Sequence, residues 1–263
     1  GTYRYRRTSL NWPAGGIIPY NQAMLAQPSD RGDSAAAPSQ LGDGTIAAIV
    51  ETPVRAANGV LTLRLLLPAR VDAERVAGRF LLARCGAQST EERATQWSIY
   101  LRRPLFAAAR PQPLNGEPYA LWRLAAPLHD DPGLAWLAAR EIGETINLVG
   151  PYGSGFPLLP LTRRLLLVAD APHLGIVLPL VDEALDRGGQ VSLLLLDGGH
   201  APAAVDSLRG DLPLAVEFHR LATEGWEQEI EGALRWTDQV CTAIASAHLS
   251  AVADAIRRTR VRF

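Results

Sequence analysis

The chain of 263 residues contains no lysine; all 26 of its basic residues are arginine. That absence excludes a Schiff-base or pyridoxal-phosphate lysine, a Walker-A lysine and a protein-kinase lysine. Cysteine is almost as scarce. Cys85 and Cys241 are the only two, too few by themselves for a disulfide framework, a zinc site or an iron–sulfur cluster. Both sit in or beside strand-like sequence, where a free thiol is ordinarily a small buried apolar group. A reducing, cytoplasmic setting is expected. Charge of one sign is also lacking: 26 basic residues face 27 acidic ones, for a net charge of −1. No electrostatic case exists for nucleic acid or an anionic membrane as partner. The beginning of the chain lacks the pattern of a signal peptide. The longest apolar run, 165–180, is interrupted by Asp170, Pro172, His173, Gly175 and Pro179. It reads as strand–turn–helix, and no membrane span is expected. No G-x-S-x-G elbow occurs, since Gly153-Ser154-Gly155 has the wrong spacing.

What is present suits a folded protein with ample core: 48% apolar and 20% charged residues. Composition divides the chain into an irregular N-terminal arm (1–43), a strand-rich region (44–158) and a strand–helix region (159–263). The arm carries Pro13, Pro19, Pro28 and Pro38 and begins with the basic, aromatic Tyr3-Arg4-Tyr5-Arg6-Arg7. It is either a solvated tail or a docking arm for a partner.

In the middle region, strands are expected at 46–54, 60–67, 78–84, 96–101, 119–124 and 145–149. Ala57-Asn58-Gly59 supplies a hairpin turn, and one helix is expected at 134–140. Short strands between Gly, Pro and Asn turns predict a small antiparallel barrel. From 161 onward the period changes. Strands at 165–168, 191–196, 214–218 and 239–243 alternate with helices at 176–186, 203–208, 226–234 and 247–258. That order predicts a parallel sheet with helices on both faces and a ligand crevice at the carboxyl ends of its strands. Asp170 and His173 stand at one such end. His200 stands at the next and could share the crevice with them, or both histidines are ordinary loop residues.

Three segments resemble the ferredoxin–NADP reductase superfamily. Gly78-Arg79-Phe80-Leu81-Leu82-Ala83-Arg84 is similar to its "GQFvmlr" strand, and Arg102-Arg103-Pro104-Leu105-Phe106-Ala107 to its "RRPxSI" flavin segment. Leu148-Val149-Gly150-Pro151-Tyr152-Gly153-Ser154-Gly155-Phe156 is similar to "vlGPlGnGF", a form typical of the electron-transfer subunit of dihydroorotate dehydrogenase. The resemblance covers roughly 45–258. It implies a six-stranded antiparallel barrel carrying FAD, followed by an NAD(P)-binding-like α/β domain. It also implies cofactor contacts at Arg103, Pro104, Leu105, Phe106, Gly133, Gly150, Pro151, Tyr152, Gly153 and Gly155. In the family the arginine pairs with the FAD pyrophosphate, a task that suits a guanidinium fork. From the residues alone, Arg103 could equally be a surface ion pair on a barrel strand.

The chain departs from the family pattern in four places. Phe106 stands where the family has a hydroxyl. Asp131-Pro132-Gly133-Leu134 replaces a glycine- and threonine-bearing helix start, and Asp130-Asp131 brings negative charge to a place meant for an anion. Ala169-Asp170-Ala171-Pro172-His173-Leu174-Gly175 replaces the glycine turn that lets backbone approach the nicotinamide dinucleotide. Ala243-Ile244-Ala245-Ser246-Ala247 replaces the final cysteine- and glycine-bearing motif, with Cys241 two positions too early. No iron–sulfur cluster is expected, because the sequence ends at Phe263 before any four-cysteine loop. Two functions follow. One is a flavoprotein oxidoreductase or electron-transfer subunit with FAD and an eroded NAD(P)H site. The other is a cofactor-free structural or regulatory subunit, a pseudo-enzyme bound to a protein partner.

Overall fold

The computed structural model describes residues 37–41, 44–57, 59–86, 99, 101–196, 212–222 and 225–259. Most of the expected arm, most of the expected strand at 96–101, the expected helix at 203–208, Asn58 and His200 lie outside the described residues.

Six strands close an antiparallel barrel: β1 (Ile46–Val50), β2 (Val60–Pro68), β3 (Phe80–Ala83), β4 (Arg103–Ala107), β5 (Tyr119–Pro127) and β6 (Thr145–Tyr152). Their order is β1-β6-β3-β4-β5-β2, and β2 pairs back onto β1 through Leu66–Ile49 and Leu65–Val50. Alternation makes the interior. Along β2 the side chains of Leu61, Leu63, Leu65 and Leu67 are fully buried, while Thr62, Arg64 and Leu66 between them are only half-buried. Trp122 and Leu124 of β5, Leu105 of β4, and Ile146 and Leu148 of β6 meet them inside. Helix α1 (Pro132–Ala138) adds Leu134 and Leu137 to that core. The helix begins where it does because Asp131 caps it and Pro132 takes the first turn, where a missing N–H costs nothing.

The second half is a parallel sheet of β7 (Arg164–Asp170), β8 (Gln190–Leu196), β9 (Val216–Leu221) and β10 (Gln239–Ala243), in the order β9-β8-β7-β10. Continuous apolar runs fit strands covered on both faces. Leu165, Leu167, Leu193 and Leu195 pack on α2 (Leu174–Val177) and α3 (Pro179–Asp186). Leu166, Val168, Leu194 and Leu196 pack on α4 (Trp226–Leu234) and α5 (Ser246–Thr259). Among the described residues, no helix is long and apolar enough to cross a membrane.

Three expectations need correcting. The sixth barrel strand is β4, which is not among the strands that the sequence predicts. Pro104 disguises it by removing a ladder donor, although it sits opposite Leu82 in a regular pairing. The single helix expected at 176–186 is two helices, broken before Pro179, which starts the second. The strand expected at 214–218 begins at Val216, whose N–H closes a turn onto Pro213, and Leu214 is left fully exposed.

Barrel and sheet are held together by close backbone approach. A Cβ on Gly175 would lie 3.0 Å from the Ala125 Cβ and 3.3 Å from the Ala108 Cβ of the barrel. Gly78 N–H donates to the Ile176 carbonyl at 3.0 Å. The connection from β6 to β7 is fixed by the buried Gln239. Its Oε1 accepts from Leu159 N–H (2.9 Å) and the Thr162 hydroxyl (2.7 Å), and its Nε2 donates to the Pro157 carbonyl (2.8 Å). Gly175→Val forces overpacking at the junction and should destabilise the protein by about 1–3 kcal/mol. Urea unfolding measures it, and an unchanged midpoint would mean that barrel and sheet do not pack through this contact.

Candidate functional site

Arg103 opens β4 and its guanidinium forks onto one carboxylate. Nε donates to Asp131 Oδ1 and Nη2 to Asp131 Oδ2, each at 2.8 Å, while Nη1 donates to the Leu101 carbonyl. Both side chains are largely buried, 12% and 18% exposed. Asp131 Oδ1 also accepts the Leu134 N–H at 2.8 Å. Hydrogen bonding from Arg103 holds the Asp131 carboxyl below the ordinary carboxylate range, and the same bond raises Arg103. The guanidinium lies over Gly133, where a Cβ would come within 2.8 Å of Cζ. Gly133 is therefore required by a side chain of its own protein. Asp131 is no free negative charge; it is the partner of Arg103.

The other anticipated residues lie along the barrel's outer face and the turn that follows it. Leu105 points into the core, Pro104 is exposed and Phe106 is half-buried outside. Phe106 contacts Phe80 at 5.7 Å between ring centroids, and Phe80 contacts Tyr152 at 6.0 Å. This row of three rings ends at Tyr152, which is 46% exposed. Beyond it, Gly155 has φ +72° and runs so close to residues 75–77 that a Cβ would lie 2.3 Å from the Arg75 carbonyl oxygen. Gly150 has φ +123° and passes beside the Phe80 carbonyl. Phe156 N–H donates to the Ala77 carbonyl at 2.8 Å, and Arg79 Nη2 to the Pro151 carbonyl at 3.3 Å. Gly153 lies beside the Gly78 carbonyl. The glycine-dense turn is stitched to residues 75–80 by these contacts.

Asp170 ends β7, the strand flanked by β8 on one side and β10 on the other, where the winding of the sheet reverses. Its buried carboxylate spans that point. Oδ2 accepts the Ala245 N–H at 2.7 Å, just beyond β10. Oδ1 accepts the His173 N–H at 3.1 Å and lies 2.5 Å from His173 Nδ1. The structure thus brings Asp170 and His173 together; the proposed companion His200 is outside the described residues. Cys241 lies within β10, packed against the α2–α3 side, and burial pushes its thiol up to about 11. Cys85, in the barrel core, is pushed to about 11 by the same cause. Among the described residues no three His, Cys, Asp or Glu side chains converge to hold a metal ion.

Solved structures share this architecture. The ferredoxin reductase in carbazole 1,9a-dioxygenase is 18% identical at a TM-score of 0.62, over 83% of this chain and 66% of that one. The fold is that of the ferredoxin reductases. The cytochrome b5 reductase domain of Ulva prolifera nitrate reductase is similar at 16% identity and a TM-score of 0.57, over 86% of this chain and 97% of that one. A ferredoxin NADP+ reductase from Neisseria gonorrhoeae with bound FAD and NADP is 14% identical at a TM-score of 0.59, over 82% of this chain and 92% of that one. The chain spans 66% and 62% of the length of the two carbazole dioxygenase reductase structures it resembles. No protein-family model and no curated protein sequence matches the chain.

The residues present do not fit a dinucleotide's phosphates as they stand: Asp131 fills the fork of Arg103, and the Asp170 carboxylate takes the Ala245 and His173 N–H groups at the strand ends of the sheet. Sequence reasoning singled out Arg103 but missed Asp131 as its partner. The signal available was Asp-Pro-Gly-Leu, which reads as a capped helix start.

The lowered Asp131 pKa carries a sign. Its stabilisation is fully present above the unfolded carboxyl value of about 3.9 and is lost as pH falls through the depressed folded value. Wild-type protein should therefore lose stability below about pH 4 more steeply than Asp131→Asn, in unfolding curves at stepped pH. Both thiols should stay unreactive to a disulfide reagent at neutral pH until denaturant is added; labelling of native protein would contradict their burial.

Proposed function

We propose that this chain is a ferredoxin-reductase-fold subunit that does not itself draw hydride from NAD(P)H and that works bound to a protein partner. Its barrel spans 44–158 and its α/β domain 159–263. One observation carries the reading. The Asp170 carboxylate lies across the sheet's switch point, bonded to Ala245 N–H and His173. An anionic dinucleotide entering there would meet a buried negative charge and would have to break the Ala245 and His173 hydrogen bonds. A place within a multi-component system is supported by the fold neighbour described as the reductase in a dioxygenase. The similarity of Gly150-Pro151-Tyr152-Gly153-Ser154-Gly155-Phe156 to the dihydroorotate dehydrogenase electron-transfer subunit supports the same role.

A second reading is favoured by Tyr152, Phe80 and Phe106, an aromatic row on the barrel's outer face that is exposed at Tyr152, beside the glycine turn. On that reading the barrel carries FAD and the chain is an electron-transfer flavoprotein. FAD would supply the redox chemistry, and the rings would position it.

Quenching of protein fluorescence by added NADPH tests the first reading. No saturable quenching is expected at millimolar NADPH, and saturation in the micromolar range would overturn it. Visible flavin absorption in protein purified without added cofactor would select the second.

A further inference from the structure

We propose that Asp131 is a built-in surrogate for a ligand phosphate, an autoinhibitory carboxylate that keeps Arg103 occupied. A diphosphate ligand would then gain the barrel only by displacing it. The inference rests on the reductase-fold reading of the barrel but not on the exclusion of NADPH from the sheet.

The geometry is that of an anion held by a fork. Two parallel N–H···O contacts of 2.8 Å join Nε and Nη2 of Arg103 to the two oxygens of Asp131. This is the arrangement with which arginine grips a phosphate or carboxylate bidentately. Three features make it more than a surface pair. The two side chains are 12% and 18% exposed, so solvent screens them weakly. The carboxylate is fixed from behind by Leu134 N–H, and so is not free to swing with its rotamer. Gly133 has no Cβ, which lets the guanidinium lie flat on the helix start; any side chain there would push the fork away.

A tethered anion has a standing advantage over a free one. Asp131 is only 28 residues from Arg103 along the chain and pre-positioned by α1, so it competes at high effective concentration. A diphosphate reaching Arg103 must also tolerate Asp130 and Asp131 beside it. The barrel is accordingly complete without a ligand. Its own carboxylate satisfies the guanidinium that a ligand-dependent barrel would leave waiting.

ADP serves as the probe, because it presents a diphosphate without the flavin ring. Isothermal titration of ADP into wild-type protein should show no binding at millimolar concentration. Asp131→Asn keeps a capping acceptor for Leu134 N–H but loses the charge, and should bind ADP at least about tenfold more tightly than wild type. Adding Arg103→Met to that variant should abolish the gain. The proposal is overturned if folded Asp131→Asn, judged by its melting transition, gains no ADP affinity, or if the gain survives loss of Arg103. Asp131→Ser, also a good cap, serves should the asparagine variant fail to fold. Independently, a rise in the wild-type melting temperature with millimolar ADP that is lost in Arg103→Met would overturn it. NADPH quenching is read separately at the sheet. A protein that takes up NADPH but still gains ADP binding through Arg103 would refute the proposed function and leave this inference standing.

Discussion

The fork of Arg103 and the backbone N–H groups at the strand ends of the sheet are met by the chain's own carboxylates, Asp131 and Asp170. Arg103 sits on a barrel strand with little access to water, so a guanidinium left unmatched there would cost several kcal/mol. Asp131 matches it and in the same stroke starts α1, which places Leu134 and Leu137 in the barrel core. Ion pair, helix start and core packing thus depend on one side chain. Asp170 plays the corresponding part in the sheet, where one carboxylate holds together the ends of β7 and β10 and the turn at His173. The start of β4 with α1, and the ends of β7 and β10, are therefore knit by the chain's own carboxylates.

Much of the architecture was legible because it is periodic. The alternation of Val60-Leu61-Thr62-Leu63-Arg64-Leu65 announces a half-buried strand, and the unbroken run Leu165-Leu166-Leu167-Val168 announces one buried on both faces. The strand β4 was harder, since Pro104 reads as a breaker and only its pairing with β3 reveals it. The Arg103–Asp131 pair was illegible for a different reason. Each residue is informative alone, but their meeting depends on β4 being folded against the start of α1. Sequence spacing suggested two acidic groups opposing an anion, whereas folding turns one of them into the anion.

The glycines tell a related story. Gly133, Gly155 and Gly175 fall in or near segments where a reductase keeps glycine for close approach of a cofactor. Here each makes room for another part of the same chain: the Arg103 guanidinium, the Arg75 carbonyl and the methyl groups of Ala125 and Ala108. Steric demand is identical in the two situations, so residue type alone cannot distinguish a ligand-facing glycine from a packing one. Only the contact decides it.

Gln239 has a mechanical consequence. The segment leaving the barrel would ordinarily be the natural place for a pivot, but one amide secures it at Leu159, Thr162 and Pro157 to the first residue of β10. A rotation about that stretch would have to break the Gln239 hydrogen bonds to Leu159 N–H, the Thr162 hydroxyl and the Pro157 carbonyl. Barrel and sheet should consequently travel as a single lever. A companion molecule pressing on one half would be felt, undamped, by the other.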